Sequence, residues 1–212
     1  MEGALTGLDT THLVALAAAL GWASGMRLYA VVFITGAAGY LGWVSLPAGL
    51  QVLQNPTVMA VAFLMVVVEF FADKIPALDS LWDLAHTFIR IPAGAALAAG
   101  VFGGDSATWA TVAGLLGGTL AATAHTAKAT TRAAVNTSPE PFSNIGLSLL
   151  GDLSVPALMW LAVEHPAWFF VALAVAVVAA LVLTVVLFKF LRLLWRRLTG
   201  RSVAAPAPAL PR

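Results

Sequence analysis

Long apolar runs separated by short polar breaks dominate the chain. A helix that crosses a bilayer needs about 20 mostly apolar residues. On that rule the runs fall at about 12–38, 56–74, 80–102, 107–134, 143–163 and 166–195. Each break has a local reason. Pro47, Asn55 and Pro56 separate the first two runs. Lys74, Ile75 and Pro76 stop the second, because proline lacks a backbone donor and disfavours helix in the residue before it. Asp79 or Ser80 caps the third, with Asp83 favourable in its first turn. A Gly-Gly-Asp-Ser turn at 103–106, the loop NTSPEP at 136–141 and the turn through Glu164, His165 and Pro166 divide the rest. The expected fold is therefore all-α, a polytopic membrane helix bundle of about six transmembrane helices. Residues 1–11 form an N-terminal segment, 12–195 the transmembrane domain, and 196–212 a tail that is first basic and then Pro/Ala-rich.

Composition supports lipid as the solvent. Of 212 residues, 60% are hydrophobic and 10% charged, against about 25% charged in a soluble domain. There is no cysteine, which excludes disulfides, thiolate metal sites and cysteine nucleophiles. The net charge of +1, with no basic stripe interleaved with aromatics, speaks against nucleic acid as a partner. The stretch LVALAAAL at 13–20 has the look of a signal-peptide core, but Glu2 and Asp9 precede it and no Lys or Arg does. A leader needs a positive start, so a retained first helix is expected.

Charge placement orients the bundle. The last run ends in Lys189, Arg192, Arg196, Arg197 and Arg201, which the positive-inside rule keeps cytoplasmic and which suits anionic lipid headgroups. Six helices then place the N-terminus in the cytoplasm too. The turns at 74–79 and 135–142 fall inside, beside Lys74, Lys128 and Arg132, while those at 41–55, 103–106 and 164–165 fall outside and hold no Lys or Arg. A weak internal echo, DKIPAL from Asp73 against DLSVPAL from Asp152, with His86-Thr87 against His125-Thr126, is compatible with an inverted three-plus-three repeat. Such repeats place a transport site near the midplane, at interrupted helices.

The charges inside the runs carry the candidate chemistry. Asp79, Asp83, His86 and Arg90 are spaced by four, three and four, so they share one helical face, and Pro92 with Gly94 follows them. Glu69 and Asp73 are four apart. His125, Lys128, Arg132 and Asn136 recur at three, four and four. Asp152 lies in the fifth run near Pro156, and Arg27 lies in the first after Gly21, Ser24 and Gly25. Arg27 either snorkels or pairs with Asp152. A charge at a membrane helix centre costs about 2.5–3.5 kcal/mol on insertion scales, so the set must face itself or water. The expected product is a polar, partly hydrated cavity open to the cytoplasm and lined by the second to fifth helices. Ion-pair glue is the competing reading, but intramembrane polar pairs contribute only about 0.6 kcal/mol each. Trp43, Trp82, Trp168 and Trp195 read as interface anchors, His12 and His165 as interface residues, and Gly114, Gly117 and Gly118 as close-packing positions. Ser138 and Glu140 in the NTSPEP loop read equally as a site or a rigid turn. His86 and His125 match no metal-ligand spacing, and no hydrolase or nucleotide motif is present. No cofactor and no resident metal are expected.

Two stretches also carry a resemblance. EFFADKIPALDSLWDLAHTFIRIPAG, residues 69–94, and the pattern His125, Lys128, Arg132, Asn136, Ser138, Pro139, Glu140, Pro141, Ser143 and Asn144 resemble a bacterial integral membrane family, domain of unknown function number four thousand one hundred and twenty-six. The resemblance implies a multipass inner-membrane protein over about residues 10–190 and no particular activity. The residues themselves suggest more. Arg90, Lys128, Arg132, Asn136 and Asn144 suit the binding of an anion. Glu69, Asp73, Asp79, Asp83, His86, His125 and Asp152 suit the carrying of protons. The expected function is a small transporter or lipid flippase for an anionic substrate. An intramembrane enzyme acting on a lipid phosphate and a membrane scaffold are the alternatives. Expected partners are membrane lipids and an anionic small molecule or lipid phosphate, and a homo-oligomer is compatible with all of this.

Overall fold

The computed structural model describes residues 9–75, 78–103, 106–137 and 142–199. The terminal segments 1–8 and 200–212, Pro76, Asp105 and the Ser138 to Pro141 stretch lie outside the described residues. All regular structure among the described residues is helical: α1 (Thr10–Tyr40), a 3-10 helix (Ala48–Gln54), α2 (Pro56–Ala72), α3 (Leu78–Gly100), α4 (Ala107–Val135), α5 (Phe142–Glu164) and α6 (Pro166–Leu198).

The ends follow local chemistry. Asp9 caps α1, accepting from the His12 N–H at 2.9 Å and lying 2.8 Å from its ring. The His12 backbone donor, and then its ring, hold the Asp9 carboxyl below the usual range. Asn55 accepts from the Thr57 N–H at 2.8 Å, and Ser106 from the Trp109 N–H at 3.3 Å. Pro56 and Pro166 occupy first turns, where a missing donor costs nothing.

The six long helices lie where the apolar runs predict them, and the departures are local. Asp79 and Ser80 sit inside the first turn of α3 instead of capping it. The break at 41–55 holds the 3-10 helix, which buries Leu50 and Leu53 against the bundle. Pro92 and Pro156 lie within continuous helix. The interruption falls instead in α1, at Arg27, whose φ of −149° and ψ of 81° are not helical. In a three-plus-three comparison α4 would be the counterpart of α1, and it runs without a break.

By length and composition α1, α5 and α6 are apolar enough to cross a membrane, and α2 joins them as a pair with the 3-10 helix, bent by 70°. The acids, histidine and arginine of α3 and the Ala, Thr and Gly content of α4 leave these two helices less apolar. Both are buried on their polar faces, and exposed apolar side chains such as Phe88 and Leu115 point outward.

α1 is the hub and touches every other helix. Small residues make this possible. A Cβ on Gly21 would stand 2.6 Å from Gly117 Cα, one on Gly25 would stand 2.2 Å from Ala121 O, and one on Gly117 would stand 2.3 Å from Ala98 Cβ. Gly117 is thus the tightest of the three α4 glycines expected to pack closely. Gly118 and Gly114 have more room, with nearest contacts of 3.2 and 3.4 Å.

Close approach of α1, α3 and α4 yields a direct test. Gly117→Leu should lower stability by about 1–3 kcal/mol through overpacking. Gly146→Ala, whose Cβ meets nothing within 4 Å, should raise it by about 0.5–1 kcal/mol through helix propensity. Thermal unfolding of both variants in detergent measures the difference.

Candidate functional site

The charged faces converge. Five carboxylates (Glu69, Asp73, Asp79, Asp83, Asp152) meet five cations (Arg27, Lys74, Arg90, Lys128, Arg132) in one network that draws on α1 to α5. Charge balance inside the set is what makes burial tolerable, since a lone charge in a low-dielectric interior is very costly. Asp73, Asp79 and Arg90 are fully buried, and Glu69 and Asp83 nearly so. Lys74 and Asp152 are partly exposed, at 22% and 25%.

Three cations of α3 and α4 do most of the joining. Arg90 Nη1 donates to Asp83 Oδ1 at 2.7 Å, and its Nη2 donates to Glu69. Lys128 Nζ lies 3.1 Å from Asp83 and 3.3 Å from Asp73. Arg132 reaches the Asp73 carbonyl, the Asp73 carboxylate at 3.4 Å and Asp79 at 3.3 Å. Asn136 Nδ2 donates to Asp79 at 3.0 Å and to Ser80 at 2.9 Å, and Asn144 donates to Asn136 Oδ1 at 2.6 Å. Glu69 Oε2, Asp83 Oδ2 and Arg90 Nε are buried with no hydrogen-bond partner among the described residues.

Arg27 stands at the interruption of α1. Its Nη2 is 2.9 Å from Asp73 Oδ2 and its Nε 2.9 Å from Asp152 Oδ1. Nη2 also reaches Ser148, at 3.2 Å to the carbonyl and 3.1 Å to Oγ. The carbonyl of Met26, at the break, accepts from Lys128 Nζ at 3.3 Å. A backbone group at the break of α1 is thus met by a side chain of α4. Pairing with Asp152, one of two alternatives for Arg27, is the one the structure shows, and Asp73 joins it.

The histidines sit beside the network. His86 bonds Tyr29 Oη at 3.0 Å through Nε2 and the Trp82 carbonyl at 2.8 Å through Nδ1. Trp82 stacks on it with ring centroids 4.2 Å apart, so this tryptophan packs on the site in addition to any interfacial role. His125 lies 2.8 Å from Thr87 Oγ1 and 3.4 Å from Arg90 Nη1. Among the described residues no three His, Asp or Glu side chains form a metal-binding group.

Every residue of the expected anion and proton sets lies in or directly against this network. The expected cavity does not. Carboxylates and cations close on each other between α2, α3 and α4, where an open polar cavity was anticipated. Open space borders the cations on their other flank. It is a cavity of about 390 Å³ lined by α1, α4, α5 and α6, with no residue of α2 or α3 on its wall. Ion pairing accounts for the difference, because the opposite charges on adjacent helices sit directly against each other, at 2.7 Å for Arg90 and Asp83 and 3.1 Å for Lys128 and Asp83.

A profile of the family described as Domain of unknown function (DUF4126) matches residues 14–186, which takes in the whole network. The chain belongs to that family. The DUF4126 match stops short of the basic end of α6. No curated protein and no solved structure matches the chain.

Arg27, Lys74, Tyr29, Thr87 and Ser148 are the members that sequence reasoning did not select for the site. A lone arginine in an apolar run, just after Gly21, Ser24 and Gly25, is a usable signal for the first. Tyr29 and Ser148 carry none, since both are ordinary residues of apolar helices.

Removing one partner of a buried pair leaves an uncompensated charge. Arg90→Met should therefore cost about 3–5 kcal/mol, and adding Glu69→Gln should recover part of that loss. Tyr29→Phe should cost only about 1 kcal/mol, one hydrogen bond. Thermal unfolding of the three variants in detergent separates these outcomes.

Proposed function

We propose that the protein is a transporter or flippase that moves an anionic substrate across the membrane in exchange for, or together with, protons. The observation that carries the reading is the interruption of α1 at Arg27, where three cations, Arg27, Lys128 and Arg132, meet on Asp73. Interrupted membrane helices are where transporters place their sites.

The coupling follows from electrostatics. Arg90, Lys128 and Arg132, supported by Asn136 and Asn144, bind the arriving anion. To do so they release carboxylates. A carboxylate left unpaired in a low-dielectric interior takes up a proton instead of remaining charged. Glu69, Asp73, Asp79, Asp83 and Asp152 are the groups released in this way, and His86 and His125 carry protons to and from them. Anion binding and proton uptake then become one event. In this reading the protein sits in the inner membrane with both termini in the cytoplasm, and the basic end of α6 lies against the anionic leaflet.

Proteoliposomes with a pH gradient and a trapped pH dye test the idea. Wild-type protein should dissipate the gradient only when one of a panel of phosphates, alkyl phosphates and carboxylates is supplied. Asp83→Asn should slow that flux by about tenfold or more, the effect of about 1.4 kcal/mol on a rate. Turnover of a lipid phosphate in detergent, with no sealed membrane, would replace transport by an enzyme. Absence of flux with every anion, together with a stoichiometric co-purifying protein, would replace it by a scaffold.

A further inference from the structure

The geometry points to a binding site for a lipid phosphate, a monoester of phosphate with an alkyl chain, in the cavity between α1, α4, α5 and α6. The inference rests on the anion-handling reading above and names its substrate class.

Charge on the cavity wall is one-sided. Arg27, Lys128 and Arg132 line it, and no carboxylate does. Of their partners, Asp73, Asp79 and Asp83 lie behind them, on α2 and α3 or at the turn between them, and Asp152 holds Arg27 from α5. The cavity therefore sees the cations from their open flank. The rest of the wall is mainly apolar, with Trp22, Leu147, Leu158 and several alanines beside Thr131 and Ser154. The rim is apolar as well, because Leu150 and Leu183 are exposed. Such a mouth faces hydrocarbon, and a ligand reaches it sideways from the bilayer.

Gly151 sharpens the case. A Cβ built there would meet only Arg27 Nε, at 3.6 Å, so position 151 adds no cover of its own to a guanidinium that Ser148 and Asp152 hold from the same helix. Arg27 is 4% exposed and its Nε makes no hydrogen bond, although Asp152 Oδ1 lies 2.9 Å away without the alignment of one. Arg27, held by Asp73 and Asp152, borders a space large enough for a ligand.

The chemistry selects the occupant. A phosphate monoester carries close to two negative charges and three acceptor oxygens, which suits two guanidinium groups and an ammonium. Its alkyl chain covers the apolar wall and leaves through the apolar rim. Free inorganic phosphate would leave the wall uncovered and would have to cross that rim. A phosphocholine headgroup would bring a fourth cation to three. Basic pockets between membrane helices are known to take anionic lipid heads in this way.

The full chain, purified in neutral detergent, gives the test. Dodecyl phosphate, inorganic phosphate and dodecylphosphocholine are compared by native mass spectrometry and melting temperature. Wild type and Gly146→Ala should bind one dodecyl phosphate and melt higher with it, and neither control compound should do so. Gly151→Leu fills the space before Arg27 without altering any charge and should weaken dodecyl phosphate binding by about tenfold or more. Ser154→Phe, elsewhere on the same wall, should do the same and serves if Gly151→Leu fails to fold. No binding of dodecyl phosphate to wild type overturns the inference. So does equal binding of inorganic phosphate, which leaves transport of a free anion standing. So does undiminished binding in the folded cavity-filling variants. Binding as expected with no flux in vesicles supports the lipid site and sinks the transport reading alone.

Discussion

Asp73 accepts from three cations that arrive from two different helices. It sits at the C-terminal cap of α2, where the helix dipole disfavours a negative charge. Arg27 from α1, with Lys128 and Arg132 from α4, offsets that penalty, and Arg132 also takes the Asp73 carbonyl. A group that is badly placed by itself thus becomes the knot that ties three helices. Arg27 extends the tie to α5 through Asp152, and Arg132 extends it to α3 through Asp79. The apolar packing of α1 against its neighbours depends on this knot, because an unpaired charge at any of these positions would have to reach water or lipid.

Much of this was legible from spacing alone. Asp79, Asp83, His86 and Arg90 share a face because α3 keeps its helical phase through all four. Pro92 follows them without breaking the helix, as proline in membrane helices is often accommodated by neighbouring groups. The caps at Asn55 and Ser106 and the prolines at 56 and 166 marked boundaries for the same local reasons that the structure shows. What could not be read is which face meets which. Pairing of Arg27 with Asp152 was one of two readings open to it, but its pairing with Asp73 follows from the interruption of α1, which no residue near Arg27 encodes. The cavity was misplaced for a related reason. Charge spacing locates the cations, but whether carboxylates or open space lie beside them depends on how four other helices approach. The 3-10 helix was missed because Leu46, Leu50 and Leu53 are too few to stand out as a run.

The two halves of the site differ in mechanical character. Toward α3 the contacts are between backbone and small side chains, with Gly21, Gly25, Gly94 and Gly117 leaving little freedom. Toward α5 they are looser, since α5 packs on α1 and scarcely on α4. Across the cavity α5 and α4 scarcely touch, so the two helices are tied there mainly through α1 and α6.

The polarity of α3 and α4 has a further consequence, for biogenesis. Neither helix is apolar enough to be threaded into a bilayer by its own hydrophobicity, yet they are the most tightly packed pair in the molecule. The nascent chain exposes Glu69 and Asp73 of the α2 end first, then Asp79 and Asp83, and only tens of residues later Lys128 and Arg132. Arg27 and Arg90 can already meet Asp73, Glu69 and Asp83, but Asp79 has its cation, among the described residues, only in Arg132. The charge balance of α3 is therefore complete only once α4 has been made.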